Sequence, residues 1–247
     1  MIKRVILLIQ IAGTIALAER PIDELLYDAT CYGNTAERRE AKQAALEELR
    51  NRMPGSLRAA MNWAHGDNVM IQVLLMEWVQ SQPAEVVVPV MLDFIDHERE
   101  DTRKLALFFL GFKDAPEHAE KVIPHLENEA TRGAALRTLG KWKIKEARPA
   151  AKRWLVDGNE RVRVVAANAL RDIGDPDAIE TLVIALNDPV FTVRNTAARA
   201  IVILAGSRLE WIPAAVAGYR LIDRIRLDAG LSGEDQGVLL DGRFFVP

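Results

Sequence analysis

The chain has 247 residues, enough for one or two domains with a substantial core, and its composition, 49% apolar but only 6% aromatic, is poor in the β-branched alternation that strands need. With 32 basic against 35 acidic residues, a net charge of -3 and an isoelectric point near 5.9, it lacks the basic excess of a dedicated nucleic-acid binder. A single cysteine, Cys31, excludes an internal disulfide, and the absence of a C-x-x-C pair excludes thioredoxin-like and haem-attachment motifs.

At the N-terminus Lys3 and Arg4 precede a mostly apolar run from Val5 to Ala18, and Ala16-Leu17-Ala18 stands before Glu19. These are the three parts of a secretory signal peptide over residues 1–18, which predicts an exported protein, periplasmic or secreted. The run is shorter than the ~20 residues of a spanning helix, so no permanent transmembrane span is expected. An uncleaved anchor and an ordinary buried first helix are the alternatives. Cys31 stands too far behind the run for a lipoprotein anchor and reads as a small packed residue of the first repeat.

The next stretch is periodic. Around Arg163, apolar or small residues stand one before and three, six and seven after: Val162, Ala166, Ala169 and Leu170. The same offsets give Val193, Ala197, Ala200 and Ile201 around Arg194; Thr131, Ala135, Thr138 and Leu139 around Arg132; and Thr102, Ala106, Phe109 and Leu110 around Arg103. Gln72 continues the series with Ile71, Leu75, Trp78 and Val79, and Lys42 extends it weakly with Ala41, Ala45, Glu48 and Leu49. The reference positions lie 30, 31, 29, 31 and 31 residues apart, so six units are predicted, near 19–51, 52–81, 83–112, 115–142, 145–173 and 175–205.

Within a unit these offsets trace one face of a second helix. The first helix shows in Ile179, Leu182, Val183 and Leu186, opened by Asp175-Pro176 after Gly174. A helical hairpin with two apolar stripes is too thin to bury them alone, and stacking of neighbours solves the problem. The fold class predicted is therefore all-α: an α-solenoid of about six helical hairpins over 19–205, a right-handed α-α superhelix, with a non-repeat C-terminal cap over 206–247.

The residues that carry the pattern, Asp157 with Val162-Arg163 and Ala166-Ala167, then "DIGDPDAIETLVIALND", then Asp188 with Val193-Arg194, resemble HEAT repeats of the armadillo-type fold, especially the short bacterial HEAT-like form found in bilin lyases. Pro89, Pro124 and Pro149 resemble the proline that this family often places in its first helix. The resemblance implies that Asp157, Arg163, Asp188 and Arg194 form a structural ladder of hydrogen bonds between neighbouring repeats. The aspartates also suit the N-terminus of a second helix, where a carboxylate caps and the dipole favours it. The family hosts scaffolds, adaptors and a few enzymes, so it specifies fold more than function.

Enzymatic members supply comparisons. HEAT-like deoxyhypusine hydroxylases bind iron through several His-Glu pairs, whereas this chain has only His97-Glu98. His118 and His125 stand seven apart and share a face of a first helix, two groups where a metal needs three or four that converge. HEAT-like DNA glycosylases use tryptophans and an acid, but Trp78 and Trp142 stand on or near the packing stripe. No G-x-S-x-G, phosphate loop or zincin motif occurs. No catalytic residue, metal ligand or cofactor is assigned, and the expectation leans away from an enzyme.

A surface row remains. Five residues after each reference position, opposite the buried stripe, stand Glu77, Phe108, Arg137, Asn168 and Arg199, a row that lines the concave face of such a solenoid. This row, with Lys141 and Lys145, is the candidate surface for a protein partner; nucleic acid is not expected. The segment from Arg132 to Arg153 carries Arg132, Arg137, Lys141, Lys143, Lys145, Arg148, Lys152 and Arg153 against Glu146 alone, while Asp93 to Asp101 is acidic. The basic segment is either a docking site for an acidic protein, anionic polymer or lipid surface, or solvated repeat surface. The leading expectation is a non-catalytic exported scaffold that binds a protein on its concave face; the alternatives are a lyase-type enzyme subunit and an anionic-polymer binder through 132–153.

Beyond 205 the period breaks. Trp211, Ala215, Tyr219 and Ile222 predict a capping helix, and "VLLDGRFFV" sets two apolar runs around Asp241-Gly242, a hairpin signal over 238–246. The tail either docks on the last repeat or offers Phe244 and Phe245 to a partner.

Overall fold

The computed structural model describes residues 19–31, 33, 35–64 and 68–205, with two short strands at 238–240 and 243–245. The signal peptide expected over 1–18, the capping helix expected around Trp211 and Tyr219, and the turn expected at Asp241-Gly242 lie outside the described residues. Strand β1 (Val238–Leu240) pairs antiparallel with β2 (Arg243–Phe245), Val238 opposite Phe245 and Leu240 opposite Arg243.

The chain divides at Ser81 and Gln82 into two compact units, each a stack of antiparallel helix pairs in the manner of an α-solenoid. The first unit contains α1 (Ile22–Thr30) with α2 (Ala36–Asn51) and α3 (Gly55–Trp63) with α4 (Val69–Ser81). Leu25, Leu26, Leu49, Leu57, Met61, Ile71, Leu75 and Trp78 fill its core. Thr35 caps α2 by accepting the Arg38 N–H, and Trp63 Nε1 donates to Asp23 at 2.8 Å.

In the second unit α5 (Ala84–Phe94) pairs with α6 (Glu100–Leu110), and α7 (Ala119–Val122) with α8 (Arg132–Lys141). Next come α9 (Arg148–Arg153) with α10 (Glu160–Ile173), and α11 (Ile179–Ala185) with α12 (Phe191–Ala205). The first members of the last three pairs are short because 3-10 segments adjoin them: Pro116–His118 and Ile123–Leu126 around α7, Lys145–Ala147 and Trp154–Val156 around α9, and Pro176–Ala178 before α11. A proline has no N–H for an i to i-4 bond, so Pro124 falls in one such segment and Pro149 in the first turn of α9. Pro89, by contrast, stands inside α5.

The second helices α6, α8, α10 and α12 stack in succession. All twenty stripe positions of the five units from Gln72 to Arg194 are buried, and the two exceptions fall in the weakest unit, where Ala41 is exposed and Glu48 half-buried. Each buried Leu or Ile contributes about 1.5–3 kcal/mol relative to exposure, so the stripe contributes to cohesion within each compact unit. Small residues set the spacing. A Cβ added at Gly140 would sit 2.9 Å from Ala169 Cα, and one at Gly111 would sit 2.9 Å from Thr138 Oγ1, so α6, α8 and α10 approach backbone to side chain with no room to spare. Thr138 uses that proximity to donate its hydroxyl to the Leu107 carbonyl.

The turns are equally regular. His97 Nδ1, Asn128, Asp157 and Asp188 each accept the backbone N–H two residues on, at 2.8–3.1 Å, in the loop that leads into a second helix. His97 therefore fills the position that asparagine or aspartate fills elsewhere, and its ring also stacks on Phe94 at 5.5 Å. Gly174, in the left-handed region at φ 77, ends α10, and Asp175 then accepts the Asp177 N–H to open the next pair.

Candidate functional site

The four residues of the expected ladder meet, with bonds both within a unit and between neighbouring units. Arg163 Nη1 donates to the backbone carbonyls of Asp157 and Gly158 in its own unit, at 2.8 and 3.3 Å, while Nε and Nη2 reach the two carboxylate oxygens of Asp188 in the next unit, at 2.6 and 3.0 Å. Arg132 makes the preceding rung with Asp157 at 2.6 Å, and Arg194 repeats the local half by donating to the carbonyls of Asp188 and Pro189. The six-residue spacing thus encodes a side chain on a loop carbonyl, and the carboxylate of each rung comes from the following repeat. Asp157 does not cap α10; Asn159 stands closer to the first free N–H groups and accepts from Arg161. Burial pushes the Asp188 carboxyl up, yet hydrogen bonds from Arg163 and Val190, with the charges of Arg163 and Arg194, outweigh it and hold the group below the usual carboxylate range. The hydrogen bond to Asp188 is the main cause that raises Arg163.

The surface row resolves into a groove between α8 and α10. Arg137, Lys141, Val165, Asn168, Ala169, Arg171 and Asp172 enclose about 200 Å³. At one end Arg137 lies over the Phe108 ring at 4.6 Å and the Phe112 ring at 5.9 Å, and the two rings meet edge to face at 5.1 Å. At the other end Arg171 donates to Asn168 Oδ1 at 2.7 Å and twice to Asp172 Oδ1, whose second oxygen is 3.6 Å from Lys141 Nζ. Three cations against one carboxylate leave the groove with a net positive charge.

Of the predicted partner residues, Arg137, Lys141 and Asn168 line this groove, and Phe108 supports it from α6. Arg199 is exposed on α12 but does not line it, and Glu77, in the first unit, pairs with Arg50 at 2.7 Å. Lys145 does not belong to it: α8 ends, the chain turns through Lys143 at φ 58, and Lys145 opens the first-helix layer of the next pair. Arg171, Asp172 and Phe112 were missed. The signal existed, because Phe112, Lys141, Asp172 and Ile203 all stand nine after a reference position, one turn beyond the row at five, and share its face.

Four of the eight cations of the basic segment pair with acids that the linear charge count places elsewhere. Arg132 pairs with Asp157, Lys141 with Asp172, Arg148 with Asp175 at 2.9 Å, and Arg153 with Glu127 at 2.9 Å. Lys152 donates to the Asp177 carbonyl at 3.1 Å, and Arg132 and Arg153 both lie against the Trp154 ring. The other sequence candidates resolve into packing. Trp78 and Trp142 are buried, and Trp142 Nε1 donates to the Lys113 carbonyl at 2.6 Å. His125 is buried, which pushes it below the usual imidazole value despite Asp96 at 3.5 Å. Among the described residues no group of three His, Cys, Asp or Glu side chains is arranged to hold a metal ion, and no helix is long and apolar enough to cross a membrane.

Comparison with known proteins places the repeats. No curated protein matches the chain. Among solved structures, two crystal structures of engineered proteins from the Northeast Structural Genomics Consortium are similar. One is 18% identical with a TM-score of 0.39, the match covering 85% of each chain. The other is 16% identical with a TM-score of 0.45, covering 90% of this chain and 62% of that one. The family model described as HEAT repeats matches residues 119–202, the stretch that runs from α7 to α12 and contains both rungs of the ladder and the groove. Residues 119–202 are thus similar to HEAT repeats, and the Asp-Arg ladder and the groove between α8 and α10 both lie within that stretch.

Proposed function

We propose that this chain is a non-catalytic scaffold that binds a protein partner along the solvent side of its second helices, the row expected to form a concave face. The groove between α8 and α10 carries the reading, because its lining is regular from repeat to repeat on the packed side and varied on the open side. Phe108, Arg137, Asn168 and Arg199 occupy one repeat position with three different side-chain chemistries. Where every copy must pack alike, such variation at a solvent-facing position suits recognition more than folding. The groups in the groove are cations, an amide and a carboxylate already committed to Arg171, an arrangement suited to holding a surface; no nucleophile stands beside a base there. The anionic-polymer alternative draws on the same segment, in which Arg132, Arg148 and Arg153 are already paired with carboxylates.

A photocrosslinking residue at position 137 or 141 is expected to capture one and the same protein from native extracts, whereas the same residue at Glu180, exposed on the first-helix layer, should not. Equal capture from both faces sinks the proposal. Export rests on the basic, apolar and Ala-x-Ala parts of 1–18. Intact-mass measurement of the protein from its native source should show a chain beginning at Glu19; one that still begins at Met1 would count against it.

A further inference from the structure

We infer that the groove recognises an acidic peptide segment, with Arg137 as the anchor for one of its side-chain carboxylates; this rests on the protein-binding reading above. A guanidinium that lies by its face on aromatic rings still has its N–H donors in the plane, pointing outward. Arg137 lies over the Phe108 ring, its Cζ 4.6 Å from the ring centre, with Phe112 beside it at 5.9 Å, and no carboxylate or carbonyl among the described residues accepts from it. The rings fix the side chain before a partner arrives, so less conformational freedom is lost on binding, and a planar fork is the geometry that pairs two-pronged with a carboxylate.

The neighbouring groups favour the same ligand. Lys141 is half exposed and only loosely held by Asp172, at 3.6 Å, which makes it a second cation within reach of an incoming acid. Asp172 itself is secured by Arg171 through two hydrogen bonds to one oxygen, so the groove is positive without being fully neutralised. Its volume, about 200 Å³, is below the roughly 300–1,000 Å³ typical of small-molecule pockets and suits one or two side chains of a chain lying across it. Phe112, 38% exposed beside Arg137, offers an apolar contact to the residue next to the acid.

The test uses the full chain and a fluorescein-labelled octaglutamate peptide, with octaglutamine and a four-phosphoserine peptide of similar charge for comparison. Octaglutamate should bind, octaglutamine should not, and octaglutamate should shift the Arg137 side-chain Nε–H resonance in NMR spectra. R137Q is expected to weaken binding about tenfold, the scale of a close interfacial charge pair. K121Q removes an equal charge from α7, outside the groove, and should change affinity little, while D172N should strengthen binding a few-fold by removing the internal competitor for Lys141. The inference is overturned if octaglutamate leaves Arg137 unshifted, if R137Q and K121Q weaken binding equally, or if D172N weakens it. A phosphoserine peptide that binds tenfold more tightly with the same Arg137 dependence overturns the assignment to carboxylate. Should these fail while crosslinks from positions 137 and 141 persist, acidic recognition is wrong and the protein-binding face stands; if the crosslinks fail too, the face itself is lost.

Discussion

Asp188→Ala is expected to lower the unfolding free energy by about 3 kcal/mol, the scale set by breaking a buried ion pair from one side. The Arg163 and Asp188 side chains are 11% and 7% exposed, and alanine would leave a desolvated guanidinium with two N–H groups unmatched. The same substitution in an exposed pair provides the contrast. Arg153 and Glu127 make a bridge of similar length but are 55% and 72% exposed, so Glu127→Ala should stay within about 0.5 kcal/mol of the parent. Urea denaturation of both variants reads the difference directly. An Asp188→Ala loss no larger than that of Glu127→Ala would show that the rung does not hold the repeats together. The rung also sets an acid dependence. Because the Asp188 carboxyl is held below its unfolded-state value, its contribution is fully present above the usual carboxylate range and disappears as the pH falls through the lower folded value. Stability should therefore fall on acidification in the parent more steeply than in Asp188→Ala.

Gly140→Val should be comparably damaging, at about 3 kcal/mol, for a steric reason. The added Cβ would meet Ala169 Cα at 2.9 Å and its Cβ at 3.0 Å, contacts that no side-chain rotation relieves, so α8 and α10 would have to separate along the apolar stripe. Gly133 lies in the same helix but opens onto Val162 Cγ2 at 3.9 Å, ordinary contact. Gly133→Ala should stabilise the protein by roughly 0.5–1 kcal/mol through helix propensity alone. The opposite signs of two glycine substitutions in one helix, measured by thermal or chemical denaturation, test the packing register between neighbouring repeats. The separation should also loosen the groove, since Arg137 and Lys141 stand on α8 and Asn168 and Asp172 on α10.

Much of the fold is legible before any coordinates. The offsets of Val162, Ala166, Ala169 and Leu170 from Arg163 define a helix face because helical geometry is local, and Gly174 followed by Asp175-Pro176 marks one helix end and the next beginning. The same locality explains why Arg137, Lys141 and Asn168 could be picked as surface positions. Asp172 shares the face of the row at five, one turn on, but its place beside Lys141, together with Arg171, follows only from α8 and α10 lying side by side. Lys145 was misplaced for a related reason. A run of basic residues reads as one patch along the chain, but the turn at Lys143 sends its two halves into different layers.

The amino-acid sequence by itself determined the helical hairpin, its period and the position of each buried stripe, since all three follow from contacts within one or two turns. Only the tertiary structure decided which charges meet. Arg163 passes over the aspartate six residues behind it, whose carbonyl it takes, and binds the carboxylate of Asp188; Arg148 finds Asp175 and Arg153 finds Glu127. Those partners are 25 to 27 residues apart, a distance that stacking closes, and the same stacking sets Arg137 and Lys141 beside Arg171 and Asp172, which gives the groove its sign.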